Sequence, residues 1–144
     1  MNRASIAFVR ARWHFDIVDR ALEGFLVEIE RLNVDADVTS YQVPGAFELP
    51  LLARRLAATK RFDAIVCAAL VVDGGIYRHE FVAQAVVSGL MEVQLRMDVP
   101  TFSLCLTPHN FQPTEEHRRF FKDHFVIKGQ EAARAVQATL DVSI

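Results

Sequence analysis

The stretch DAIVCAALVV, residues 63–72, is apolar without a break from Ala64 to Val72. It is far shorter than the ~20 residues a membrane-spanning helix needs. It lacks the alternation of a strand with one wet face. A run like this reads as a strand covered on both faces, the kind found at the centre of a parallel sheet. Such a strand needs helices above and below it, and the flanking sequence supplies them. Ile17, Val18, Ala21, Leu22, Phe25, Leu26, Ile29 and Leu32 form an i, i+1, i+4, i+5 stripe within residues 14–32. Phe81, Val82, Ala85, Val86, Gly89, Leu90 and Val93 repeat it after the run, and each stripe marks one buried helix face.

The remaining segments fit the same scheme. ASIAFVR (4–10), DADVTSYQV (35–43) and VPTFSLCL (99–106) read as further strands. Pro44-Gly45 breaks the second of these, and FELPLLARRLAATKR follows as a helix with Pro50 in its first turn. The segment TPHNFQPTEEHRRFFKDHFVIKG holds two prolines and resists assignment. A last helix is expected from about Gln130 to Leu140, with Ala132, Ala133, Val136 and Leu140 inward. The order β-α-β-α-β-α-β-α-α predicts a three-layer α/β/α sandwich around a four-stranded parallel sheet with right-handed crossovers, a flavodoxin-like arrangement. No repeat or linker divides the chain, so residues 1–144 are expected to be one domain.

Composition narrows the function classes. The net charge is −2 and the basic residues are dispersed, so no nucleic-acid face is expected. No membrane partner is expected either. SIAFVRARWH opens the chain without a signal-peptide apolar core, which predicts a cytoplasmic protein. Cys67 and Cys105 both lie in apolar runs and read as buried free thiols. His109, His117 and His124 are spaced unlike any tight ligand pair, so no metal site is expected.

Ligands of such sheets bind beyond the carboxyl ends of the strands. The segments there are Arg10–His14, Val43–Glu48, Leu70–His79 and Leu106–His117, and they hold most of the polar residues and turn glycines. Each feature supports two readings. Gly74-Gly75 either offers backbone N–H groups to an anion at a helix N-terminus or makes a tight turn. Trp13 either stacks on a planar heterocycle or is a core or interface aromatic. Glu48 either anchors a ligand or suits a helix first turn. Arg78 either binds a phosphate or is an exposed helix arginine. His79 either transfers protons or is a surface histidine.

Taken together, these segments resemble the lumazine synthase family over nearly the whole chain. ARWH, VPGAFELPLLARRL, DAIVCAALVVDGGIYRHEFV, VPTFSLCLTP and KGQEAARAV carry the resemblance, with PGAFELP the most specific. DGGIYRHEFV is most similar to the second enzyme type of rhizobia and brucellae. The resemblance implies condensation of 5-amino-6-(D-ribitylamino)uracil with 3,4-dihydroxy-2-butanone 4-phosphate to 6,7-dimethyl-8-ribityllumazine, a step of riboflavin biosynthesis that needs no cofactor or metal.

It also implies roles by position. Trp13 would stack on the pyrimidine, with Ala46, Phe47 and Glu48 at the ribityl chain and Leu70, Val71 and Val72 giving main-chain contacts. Gly75 and Ile76 would lie at the phosphate, Ser103 near the ring, and Lys128 at the lysine of the family's KG pair. The family's usual catalytic histidine aligns with Arg78, whose pKa above ~12 rules out proton shuttling near neutrality. Arg78 is therefore expected to steady the anion, and either the next residue, His79, takes over the proton work or catalysis proceeds mostly by positioning. The family's phosphate-binding arginine aligns with His117, which predicts weak affinity for the phosphate substrate.

The family's sites lie between subunits of a pentamer, so a homo-oligomer is expected, here a pair of pentamers (a decamer) with Pro108–Lys128 suited to the contact. Riboflavin synthase is the implied pathway partner. A riboflavin- or lumazine-binding oligomer with weak catalysis is the alternative. A flavodoxin-like regulator is a third class, but the sequence has no phosphorylatable Asp with a nearby acidic pair.

Overall fold

The computed structural model describes residues 3–73 and 78–144. The elements are β1 (Ala4–Ala11), α1 (Phe15–Arg31), β2 (Ala36–Val43), a 3-10 turn (Ala46–Glu48), α2 (Leu49–Ala58), β3 (Ala64–Leu70), α3 (His79–Met97), β4 (Thr101–Leu106) and α4 (Glu115–Leu140). The four strands are parallel in the order β2-β1-β3-β4. All seven residues of β3 are buried, as its unbroken apolar run requires.

Alternate side chains of the inner strands enter two cores. Ala7, Val9, Ile65, Cys67 and Ala69 pack beneath α2 and α3. Ile6, Phe8, Ala64, Val66 and Ala68 pack beneath α1 and α4 with Phe25 and Phe125, both fully buried. Complete burial of such a ring stabilises the fold by about 2–3 kcal/mol. The three-layer sandwich and its four-stranded parallel sheet are as the sequence predicts. Among the described residues, no helix is long and apolar enough to cross a membrane.

The C-terminal region differs from expectation. Residues Glu115–Leu140 form one helix rather than an unassigned segment followed by a short helix. Thr114 caps it, its hydroxyl accepting from the His117 N–H at 3.2 Å. Both prolines precede this cap. Gly129, just before the expected start of the last helix, lies in the helix interior. A Cβ on Gly129 would overlap the Ala21 carbonyl oxygen, and one on Gly24 would overlap that of Val126. The glycines thus let α1 and α4 cross backbone to backbone; neither ends a helix. The helix after β2 also starts differently. Glu48 ends the 3-10 turn, and its carboxylate accepts from the Gly45 N–H at 2.8 Å, the reciprocal half of a capping box.

Candidate active site

The chain leaves β1 for β2 on one side of the sheet and leaves β3 for β4 on the other. The carboxyl ends of β1 and β3 therefore flank the point where strand order reverses, the place open parallel sheets bind ligands. A cavity of about 580 Å³ lies there, lined by Trp13, His14, Leu70, Val72 and Val82 among the described residues. Its wall is almost wholly apolar, as suits a planar ring.

Trp13 is held over the turn after β2. A Cβ on Gly45 would overlap the indole, and the Gly45 backbone is extended. Glycine is thus required here for close approach, not for an unusual conformation. Glu48 pins the same turn through its bond to the Gly45 N–H. One consequence of this pairing is that Glu48 positions the floor under Trp13. Ala46 is fully buried and Phe47 is exposed. The end of β1 is tied to α1 by Asp19, whose carboxylate accepts from Arg10 at 2.9 Å and Arg12 at 2.8 Å. Arg12 also lies 4.9 Å over the Phe15 ring.

The remaining predicted residues are dispersed. Leu70 and Val72 line the cavity, whereas Val71 points into the opposite core and its N–H already donates to the Leu106 carbonyl at 2.9 Å. Gly74, Gly75 and Ile76 lie outside the described residues. Arg78 is the residue before α3. It is exposed, with its guanidinium 5.3 Å over Phe81. His79, the first residue of α3, is buried, with Nδ1 3.8 Å from the Glu80 carboxylate. The two neighbours therefore face different surroundings, as a helical turn of about 100° per residue dictates.

Ser103, His117 and Lys128 do not line the cavity with Trp13. Ser103 is exposed on the edge strand β4, its hydroxyl accepting from the Cys105 N–H at 3.2 Å. His117 Nδ1 accepts from the Gln112 N–H at 3.1 Å. Lys128 pairs with Glu131 at 3.0 Å. Cys67 and Cys105 are buried free thiols, as expected; burial raises both, Cys105 to about 11.

Two cavity residues were absent from the predicted set, His14 and Val82. His14 adjoins Trp13 in a segment already marked as a strand end, and that adjacency was the available signal. Its backbone is left-handed (φ 51°, ψ 48°), and its ring packs edge-on to Phe111 at 5.1 Å. Burial pushes the imidazole below its ordinary value, and Arg118 pushes the same way against Asp16.

Residues 3–143 match the family model described as 6,7-dimethyl-8-ribityllumazine synthase. The chain is 61% identical to the Rhodococcus erythropolis protein of that name over 136 residues, covering 94% of this chain and 88% of that one. It is 56% identical to 6,7-dimethyl-8-ribityllumazine synthase 2 of Pseudomonas syringae pv. tomato, covering 94% and 81%. It is 54% identical to the protein of the same description from Bradyrhizobium diazoefficiens, again covering 94% and 81%.

Proposed function

This chain belongs to the 6,7-dimethyl-8-ribityllumazine synthase family, and on that premise we propose that it condenses 5-amino-6-(D-ribitylamino)uracil with 3,4-dihydroxy-2-butanone 4-phosphate. The product is 6,7-dimethyl-8-ribityllumazine, with loss of phosphate and two waters, in riboflavin biosynthesis. The observation that carries this reading is the apolar cavity at the strand-order reversal with Trp13 on its wall, held over Gly45. A flat, half-exposed indole beside an apolar slot suits a pyrimidine ring.

Within this reading the pyrimidine stacks on Trp13, and Ala46, Phe47 and Glu48 form the ribityl end. Gly75 and Ile76 lie at the phosphate, with Arg78 close in sequence to steady the anion. Holding two reactants together supplies much of the rate, and proton transfers assist it. His79 carries such transfers only from its buried position beside Glu80. His117 meets the phosphate weakly, because its Nδ1 is already engaged by the Gln112 N–H. It offers a single N–H at Nε2 where an arginine offers a charged fork. A high Michaelis constant for the butanone phosphate relative to the uracil is expected.

Ser103, His117 and Lys128 are set apart from the cavity of their own subunit, so a neighbouring copy supplies them. The assembly is a pentamer, paired into a decamer through the Pro108–Lys128 segment, and the protein works in the cytoplasm ahead of riboflavin synthase. The test is to mix purified protein with both substrates and follow lumazine absorbance and fluorescence. Saturable turnover above the uncatalysed condensation is expected. Tight riboflavin binding without turnover, with substrates competent on another synthase, would overturn the reading.

A further inference from the structure

We propose that His14 is a catalytic residue of this site, an imidazole on the cavity wall that carries protons from the attacking amine to the departing oxygen. The inference rests on the functional reading above.

His14 shares the cavity with Trp13, Leu70 and Val72. Its left-handed backbone is uncommon for a residue with a side chain. It stands at the N-cap of α1, yet its side chain makes no capping bond. Neither ring nitrogen is hydrogen-bonded to a described residue, and Phe111 holds the ring edge-on at 5.1 Å. The ring is thus set at the cavity wall against Phe111, with its nitrogens not engaged by a described residue. The other candidates are less well placed, Arg78 lying exposed over Phe81 and His79 buried beside Glu80.

Burial and the Arg118 guanidinium favour a neutral, proton-accepting ring, and the Asp16 carboxylate opposes them. From α4, Arg118 faces His14; from α1, Asp16 does, and Asp16 is itself paired with Arg118 and with Lys122 at 3.5 Å. A second imidazole, His117, lies behind Phe111. Burial first, then Arg118, lower the pKa of His14, so the neutral form persists below the ordinary histidine range.

The step balances. The amine nitrogen attacks the carbonyl carbon, and the C–N bond forms as the π pair moves to oxygen. The imidazole takes each of the two amine protons in turn and passes it to that oxygen. Water leaves as the C–O bond breaks, and the nitrogen lone pair closes the C=N bond.

The test compares His14→Asn and His14→Gln with wild type under saturation in both substrates. General acid–base groups contribute about a hundredfold or more, so kcat should fall by that factor near neutral pH. Affinity for the product lumazine should stay within about twofold, read by quenching of Trp13, the chain's single tryptophan. The acid limb of the wild-type kcat profile, lying below the ordinary histidine range, should vanish in both variants. Unchanged kcat, or equal losses of kcat and product affinity, would overturn the proposal.

In wild-type protein labelled with 15N-histidine, the His14 ring signals should shift when product binds. Unmoved signals would overturn the proposal even if neither variant folds. Wild-type protein without turnover overturns the functional reading and this inference together; wild-type turnover with unimpaired variants overturns this inference alone.

Discussion

The two helix layers finish their packing differently. On one face α1 and α4 cross with paired glycines at the contact, and ion pairs close the seam. Glu28, almost wholly buried, accepts from Arg31 and from Arg134, each at 2.6 Å, and Asp16 binds Arg118 and Lys122. On the other face α3 buries Ala83, Val86, Leu90 and Val93 but also presents Val87, Met91 and Leu95 to solvent. These three fall four residues apart and form one stripe. Phe47, Leu51 and Phe81 are further exposed apolar side chains of this layer. Scattered exposed apolar residues are ordinary, whereas a continuous patch marks a contact surface. The α1/α4 crossing is sealed within one subunit, although Phe15, Leu26, Val27, Phe120 and Ile127 remain exposed on its outer side. The α2/α3 layer supports the proposal that another copy completes it.

The largest expected effect comes from charging the open layer. Leu95 is 74% exposed, so Leu95→Glu should leave the subunit's unfolding free energy within about 0.5 kcal/mol. It should nevertheless yield monomers by sedimentation and cut turnover on the order of a hundredfold, because the contacts proposed to come from a neighbour's Ser103, His117 and Lys128 go with it. An assembled, active L95E protein would break the comparison. The reverse pattern is expected in the closed layer. Gly129→Val forces α4 away from Ala21 and should cost about 3 kcal/mol in urea unfolding; a loss under about 1 kcal/mol would show that the crossing is looser than described.

A pH effect sharpens the same contrast. Hydrogen bonds from Arg31, then Arg134, hold the Glu28 carboxyl at about 2 against an ordinary 4.5. Its stabilising contribution is therefore complete above about pH 4.5 and lost as pH falls toward 2. Glu28→Gln should be less stable than wild type at neutral pH, with the gap narrowing across that acid window in thermal melts. A gap independent of pH would contradict the pairing. The smallest effect concerns the thiols. Cys67 and Cys105 should resist alkylation at pH 8 in the native protein, since burial raises both; prompt labelling would mean that the core under α2 and α3 opens.

The inner strands and three of the helices were legible from an apolar run or stripe, although β2 buries only Val43, and in α3 Phe81 and Ala85 of the expected stripe are exposed while Ala83 is buried. The apolar run over 63–72 predicted β3, and Pro50 correctly marked the first turn of α2. The long α4 was not legible. Gly129 in an otherwise helical pattern reads as a boundary, and only the presence of α1 against it explains its place. The site was half legible for a similar reason. Trp13, Leu70 and Val72 follow from strand ends. That His14 turns into the cavity depends on a left-handed backbone and on Phe111, distant in sequence. The roles of Glu48 and His117 as hydrogen-bond partners of nearby backbone amides likewise emerge only from the folded turns.

The central claim is that one subunit's cavity is completed by another's residues. Two variants test it most directly, Trp13→Ala on the cavity wall and Lys128→Glu on α4. Each alone should lose turnover. Unfolded together and refolded as mixed oligomers, they should regain part of the wild-type rate of lumazine formation, because some interfaces then pair an intact Trp13 with an intact Lys128. A mixture as inactive as its parents, or a parent with full turnover, would contradict the account.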